Sequence, residues 1–151
     1  SVENFLHQPP DSYLADNRYL SGAITTLLAG FNASNAAIAR AGNNVIIDHV
    51  LQEPSWVAPC VQAFDGLQVV LVGVHCPLDV LESREQARGD RQVGTARHQY
   101  GRVHAHKTYD VEVDTSQMSV EECIATIREY VESDTQPSAF DTLRVSATSR
   151  R

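Results

Sequence analysis

The sequence predicts an α/β fold, with a parallel sheet that has helices on both faces. The first observation is the aliphatic run at 69–74, because a continuous apolar run of this length is typical of a strand covered on both sides. The second is the strict alternation of polar and apolar residues at 109–114, which predicts another strand. Helical patterns at 77–91 and 119–132 alternate with these strands, and that order favours a parallel sheet.

A cluster of arginines follows the central apolar run. Pro77 suits the first position of a helix, where a missing N–H costs nothing. If that helix continues through Gly89, one face of it carries Arg84, Arg88 and Arg91. No acid lies within helical range of Arg84 or Arg91, so we expect a partner outside the helix to neutralise them.

The arginine cluster has two interpretations. One is a solvated basic face. The other is an anion site, which the composition favours because only one of the 12 basic residues, Lys107, is a lysine, in a chain of net charge −7. The planar fork of arginine suits phosphate oxygens in two-point contact, whereas lysine would serve a solvated surface equally well. We therefore expect a polyphosphate ligand.

Size and composition exclude several classes of protein. The 151 residues suffice for one domain. A pI near 5.2 disfavours a nucleic-acid binder, which must neutralise many phosphates. No apolar run is long enough to span a membrane and the N-terminus lacks signal-peptide features, so we expect a cytoplasmic location. The 3 cysteines are widely spaced, which predicts neither a disulfide framework nor a zinc site.

Two helices and a strand are predicted before the central run. Apolar residues recur at helical spacing over 22–40, and 54–64 suits a short helix. The segment 45–48 is predicted as a buried strand that ends in Asp48. An aspartate at the carboxyl end of a parallel strand can hold Mg²⁺ through its water shell. The alternative is an aspartate that caps the next turn.

The segment 92–107 is polar and contains two glycines, so we expect it to be a mobile segment over a site. It also contains His98 and the pair His104 and His106. A His-x-His pair can chelate a metal, but no third ligand stands at a recognisable spacing, so no metal site is predicted there.

The C-terminal part begins with a well-marked helix over 119–132. Ser119 and Glu122 form a capping box, and a stripe of apolar residues follows. From residue 133 the period is lost. The predicted organisation is therefore an α/β domain at 1–132 followed by a flexible tail at 133–151.

Several blocks of the chain resemble the chloramphenicol phosphotransferase-like kinases, a branch of the P-loop kinases. The blocks are VIIDHV at 45–50, LVGVHCP at 71–77, RExxRGDR at 84–91 and YDVEVDTS at 109–116. The last two are specific when they occur together at this separation. The resemblance implies a P-loop nucleoside-kinase-like fold and ATP-dependent transfer of the γ-phosphate to a hydroxyl of a small molecule. The acceptor that it implies is a chloramphenicol-like antibiotic.

The resemblance implies roles for residues on the nucleotide side of the site. Arg88 and Arg91 would belong to a lid and, with Mg²⁺, would carry the charge of the phosphoryl transition state. Asp48 would lie beside the Mg²⁺ and contact it through water. The implied nucleotide-binding set is Arg84, Arg88, Arg91, Asp114 and Thr115.

Glu3 takes the position of the family's acceptor-side base, which accepts or orients the proton of the acceptor hydroxyl. The family has aspartate there, and glutamate is one methylene longer. The difference predicts a shift in geometry or in substrate, because a displacement near ~1 Å can cost on the order of 100-fold in rate.

The family's phosphate-binding loop, G-x-x-x-x-G-K-[ST], does not occur in the 151 residues. In the family that loop follows the first strand, so we expect this chain to begin roughly 35 to 40 residues late, on the usual length of a βαβ unit. The sheet would then lack the strand that lies between those predicted near 45 and 69, whose inner edges would be unpaired. We also expect weak ATP binding by the chain of this length.

Three functions stay open at this point. The first is a kinase of small hydroxylated molecules, and the second is a non-catalytic remnant that binds a ligand or a protein partner. The third is a nucleotide hydrolase on the same fold, which Glu3 disfavours because it resembles an acceptor-side acid. The expected partner is a small-molecule acceptor, with neither nucleic acid nor membrane, and a homo-oligomer stays possible.

Overall fold

The computed structural model describes residues 18–89 and 93–148. Within these ranges the chain forms an α/β arrangement with a small parallel sheet. The elements, in order, are α1 (Arg18–Arg40), α2 (Pro54–Ala63), β1 (Val72–His75), α3 (Leu78–Arg88), α4 (Thr95–Val103), β2 (Val111–Asp114), α5 (Val120–Glu132) and α6 (Ala139–Thr148). None of the described helices is long and apolar enough to cross a membrane.

The sheet consists of β1 and β2, which pair in parallel over their whole length. The register runs from Val72 opposite Val111 to His75 opposite Asp114. β1 begins later than the apolar run at 69–74 suggested, and Val69 and Leu71, which precede it, pack against the helical core. The carboxyl ends of both strands therefore lie at one edge of the sheet, which positions the site described below.

The main hydrophobic core lies among helices α1, α2 and α6. Its buried members are Ala36, Leu51, Cys60, Val61, Phe64, Phe140 and Leu143. Arg40, in the last turn of α1, donates from one guanidinium nitrogen to the carbonyl oxygens of Ala63 and Asp65, at 2.9 and 3.1 Å. Since the last carbonyls of a helix lack intrahelical donors, this contact closes the C-terminus of α2.

The prediction of a buried strand at 45–48 is wrong for the described structure. Partly buried and exposed residues alternate along the segment, but it pairs with no described strand. Ile46 is 101% exposed. A strand needs a neighbour that satisfies its backbone groups. Neither β1 nor β2 supplies one, so Asp48 lies on an exposed, unpaired segment.

Two glycines explain where α3 ends and α4 begins. Pro77 was predicted at the first helical position, but it is the N-cap of α3, so the helix begins at Leu78. Gly89 adopts a φ of 65° and ends the helix after Arg88. The helix therefore does not carry Arg91, which lies outside the described residues. Gly94 has a φ of 101° at the N-cap of α4. The expected mobile segment at 92–107 is thus largely the helix α4.

The prediction for α5 is confirmed. The Ser119 hydroxyl accepts a hydrogen bond from the Glu122 amide at 3.2 Å, and the Glu122 carboxylate accepts one from the Ser119 amide at 2.7 Å. Of the apolar stripe, Cys123 is buried, but Ile124 and Val131 are 48% and 58% exposed. Part of the stripe therefore has no cover within the described residues.

The predicted flexible tail from 133 is wrong for residues 139–148, which form α6. Phe140 and Leu143 are buried in the core. Asp110 explains why this helix forms here, because one of its carboxylate oxygens accepts hydrogen bonds from the amides of Ser138 and Ala139, at 2.7 and 2.9 Å. The other oxygen accepts from the Leu71 amide at 2.8 Å, which joins the start of α6 to the start of the sheet.

Candidate functional site

The candidate site lies at the carboxyl edge of β1 and β2. Ligands of open parallel sheets bind at this edge. The first residue after β2, Thr115, turns back over it: the Thr115 amide and hydroxyl both donate to the carbonyl oxygen of His75, at 2.9 and 3.2 Å. The ends of the two strands and the loop after β2 therefore form one unit.

Arg84 joins helix α3 to this unit. Its two terminal nitrogens donate to the hydroxyl and the carbonyl oxygen of Thr115, at 2.9 and 2.7 Å. The sequence predicted a partner outside the helix that would neutralise Arg84, whereas Thr115 is uncharged and binds the guanidinium group without neutralising it. Arg84 therefore holds the loop after β2 in place, and any contact that it makes with a nucleotide stays a prediction.

Asp114 is the last residue of β2, and its carboxylate orders the turn that follows. One oxygen accepts from the amide and the hydroxyl of Ser116, at 2.8 and 2.6 Å. These two bonds hold the pKa of Asp114 below its ordinary value, and the bond from the hydroxyl has the larger effect. At neutral pH Asp114 is therefore an anion that contributes acceptors at the edge of the sheet.

An open cleft of about 2010 Å³ runs along this edge and over the exposed segment at 45–50. Its lining includes every described residue of the predicted site: Asp48, Arg84, Arg88, Asp114 and Thr115. Pockets for one small ligand usually measure roughly 300–1,000 Å³, so the cleft is larger than one small ligand requires. Glu3 and Arg91 lie outside the described residues, and the roles predicted for all seven stay predictions.

The Mg²⁺ expected at Asp48 fits the chemistry of this cleft. Within 18–89 and 93–148, no group of three or more His, Cys, Asp or Glu side chains is arranged to hold a metal. Mg²⁺ does not need such a cage, because it is usually bound by one or two carboxylates together with waters and substrate phosphates. The exposed carboxylate of Asp48 could serve as one of these, and the ion would neutralise phosphate charge.

A histidine cluster covers the face of the sheet beside this edge; it consists of His75, His104, His106, Tyr109 and Glu112. The rings of His75 and His104 stack with centroids 4.1 Å apart, and His106 lies 4.8 Å from Tyr109. His75 Nε2 is 2.7 Å from a carboxylate oxygen of Glu112, and His104 Nδ1 is hydrogen-bonded to the Tyr109 hydroxyl. His104 and His106 thus pack around a tyrosine.

Burial changes the protonation of this cluster. It lowers the pKa of His104, and the nearby His75 and His106 lower it further. Burial also lowers the pKa values of His106 and His49, and it raises that of Tyr109 to about 12. At neutral pH His104 and Tyr109 are therefore both uncharged.

We expect the protein to lose stability as the pH falls from about 7.5 to about 5.5, around the ordinary histidine pKa of roughly 6.5. In this window the unfolded chain takes up protons on histidines whose folded-state pKa is depressed, so the unfolded state binds more protons and its free energy falls relative to that of the folded state. Urea unfolding at the two pH values measures the effect.

The matched variants for this test are His104→Gln and His98→Gln. Replacing His104 removes one of the depressed groups, so the difference between the two pH values should shrink. His98 lies in α4 outside the histidine cluster, and its replacement is the control. Equal stability of the wild type at both pH values would contradict the prediction.

Several residues of this region escaped the sequence analysis, among them Glu85, Tyr109 and Glu112. The alternating pattern at 109–114 did place Glu112 and Asp114 on one face of a strand. It could not show that His75 would lie opposite, because the register of two strands far apart in the chain is set by tertiary packing. Glu85 belongs to the RExxRGDR block, but the sequence could not show that its carboxylate accepts hydrogen bonds from two amides at the start of α4.

Known proteins that are similar to this chain match it over the region that contains the candidate site. A family model described as "Chloramphenicol phosphotransferase-like protein" matches residues 10–132. Two curated Mycobacterium tuberculosis proteins, from strains CDC 1551 and H37Rv, are each named "Putative O-phosphotransferase". Each is 36% identical to this chain over 103 residues, which is 68% of this chain and 46% of the relative. The matched part is therefore about half the length of these relatives.

Proposed function

Because the chain belongs to the chloramphenicol phosphotransferase-like family, we propose that it is part of an ATP-dependent phosphotransferase that acts on a hydroxyl of a small molecule. The observation that carries the proposal is the cleft at the carboxyl edge of the parallel strands, which Arg84 and Arg88 line. A transferring phosphoryl group needs positioning and cations more than it needs a protein nucleophile. Guanidinium groups beside an open strand edge supply both the positioning and the positive charge.

The residues divide the reaction between two sides of the site. Arg88 and Arg91 contact the phosphates of ATP, and Asp48 holds Mg²⁺ through water, where the ion offsets phosphate charge. Asp114 and Thr115 face the nucleotide, with Thr115 held in place by Arg84. On the other side Glu3 accepts the proton of the acceptor hydroxyl. The hydroxyl oxygen forms a bond to the γ-phosphorus as the bond to the ADP oxygen breaks.

Exposed apolar side chains support the proposal that a further strand completes the sheet. Six large apolar side chains line the cleft although each is at least 42% exposed: Ile46, Val50, Val74, Tyr100, Ile124 and Val131. Val74 lies on β1, whereas Ile46 lies on the segment at 45–50 and Ile124 and Val131 lie on α5. Exposed apolar surface of this kind favours cover by a further element, and the open backbone edge of the described sheet favours pairing with a further strand. A strand with a phosphate-binding loop at its carboxyl end would place that loop beside Arg84 and Arg88.

A binding module without catalytic activity is the second candidate. It is favoured by one observation, namely that no G-x-x-x-x-G-K-[ST] loop occurs in the 151 residues. Reading the coding sequence upstream of Ser1 separates the two candidates. A glycine-rich loop that ends in Lys-Ser or Lys-Thr supports the kinase, whereas its absence from the whole reading frame favours the binding module.

The test of the function is ADP formation by the full-length protein with Mg·ATP and a panel of hydroxylated compounds that includes chloramphenicol. The proposal predicts that ADP forms faster with at least one acceptor and that this acceptor gains a phosphate. The same compound without its hydroxyl is the control. ADP formation that no acceptor changes would indicate a hydrolase, and no ADP formation at all would indicate the binding module.

A further inference from the structure

Glu85 is a buried carboxylate that joins helices α3 and α4. The residue is only 8% exposed, although it lies on a helix whose surface is largely polar. One of its oxygens accepts a hydrogen bond from the Gly94 amide at 2.7 Å, and the other accepts one from the Ala96 amide at 2.9 Å. An ionised carboxylate is costly to bury unless its oxygens are satisfied, and here both oxygens have donors.

These bonds close the N-terminus of α4 from outside that helix. The N-cap of α4 is Gly94, which has no side chain that could accept from the first amides of the helix. Glu85 supplies the missing acceptors across a separation of 9 and 11 residues. Its negative charge also lies at the positive end of the α4 dipole, which strengthens the contact.

Glu85 lies one helical turn before Arg88, so its contact with the start of α4 also affects the position of Arg88. Arg88 is the last residue of α3, and Gly89 then ends the helix. Glu85, Arg88 and Ala96 all line the cleft. The carboxylate therefore fixes how the end of α3, with its arginine, is oriented toward the start of α4 and the cleft.

We propose that Glu85 is a positioning residue that holds the Arg88 turn in the orientation needed to bind the phosphates of ATP. The ligand in this inference rests on the proposed function, but the contact itself does not. The contribution of Glu85 is that the binding groups are ordered before the nucleotide arrives.

The test compares Glu85→Gln with Glu82→Gln. The amide of glutamine can accept from one backbone N–H but not from both, so the first variant breaks half of the contact with little change in shape. Glu82 also connects the two helices, through an ion pair with Arg97 at 2.7 Å, but Arg97 is 67% exposed. Glu82→Gln is therefore the matched control for any loss of contact between α3 and α4.

Two measurements are made on the full-length protein. In Glu85→Gln, hydrogen exchange at one of the two amides, that of Gly94 or that of Ala96, should rise about 10- to 100-fold, as expected for the loss of one charge-assisted hydrogen bond. The KM for ATP should rise about tenfold and kcat should fall as well, because a misplaced Arg88 binds the phosphates less well in the ground state and stabilises the transition state less well. Glu82→Gln should change neither.

The outcomes separate the inference from the function that it assumes. Unchanged hydrogen exchange at both amides in Glu85→Gln would contradict the contact between Glu85 and the start of α4. Raised exchange with an unchanged KM would overturn the positioning role, since Glu85 would then only stabilise α4. If the wild type forms no ADP with any acceptor, the proposed function fails together with the ATP part of the inference, whereas the exchange result still decides the contact.

Discussion

Replacing Arg88 with alanine is expected to lower kcat/KM for ATP about 10³-fold, the lower end of the effect of arginines that stabilise a transferring phosphoryl group. The side chain lies at the end of α3 and lines the cleft at the carboxyl edge of the sheet. Charge that develops on the γ-phosphoryl oxygens would lose a cation that is already in place, and water replaces it poorly.

Two further variants make this result specific. Arg88→Lys keeps the charge but loses the two-point geometry, so it should recover only part of the rate. Arg97→Ala removes an arginine of α4 that is paired with Glu82, and it should leave kcat/KM nearly unchanged. Urea unfolding of each variant checks that the fold is intact. Arg88→Ala with wild-type kinetics would contradict the assignment of this residue.

The second large effect is expected from Gly73→Ala, which should destabilise the protein by about 1–3 kcal/mol, as overpacking usually does. A Cβ atom at position 73 would lie 2.9 Å from Cγ of Tyr109 and 3.0 Å from Nε2 of His75. The tyrosine ring has little room to move, because His106 lies against it and its hydroxyl is bonded to His104.

The controls for Gly73→Ala are Gly101→Ala and a change at Tyr109. A Cβ atom at Gly101 would meet nothing within 4 Å, and this glycine lies inside α4, so alanine there should stabilise by roughly 0.5–1 kcal/mol. In a Tyr109→Ala background the penalty of Gly73→Ala should largely disappear, because the clashing ring is gone. An equal penalty in both backgrounds, measured by urea unfolding, would contradict the close packing at Gly73.

Local chemistry made some elements predictable. The capping box of Ser119 and Glu122 marked the start of α5, and α1 ends just before Gly42, whose φ is 92°. Both signals act within a few residues of one another, so the sequence carries them directly.

The errors came from contacts between distant parts of the chain. The segment at 45–48 has the composition of a strand, but a strand forms only where a neighbour pairs with it. The tail after 133 lost its helical period, yet Asp110 accepts hydrogen bonds from the first amides of α6. The polar segment after Arg88 became a helix because Glu85 supplies acceptors for its first turn. No short-range pattern contains these partners.

The sequence predicted several residues that line the candidate site, but it did not predict the contacts that they make with one another. The sequence singled out Arg84 as a phosphate ligand, and it lies at the cleft, but it donates to Thr115. Side-chain partners of this kind depend on the approach of α3 to the loop after β2, which the sequence alone does not specify. The histidine cluster was missed for the same reason, since His75 and Glu112 lie on different strands.

The most direct test of the account is an NMR titration of the protein with Mg·ATP, which follows the backbone amides and the arginine side chains. Binding of the nucleotide phosphates at the carboxyl edge of the sheet predicts the largest shifts at Cys76, Arg84, Arg88 and Thr115. Shifts confined to the core helices α1, α2 and α6, in a protein that still forms ADP, would contradict the account.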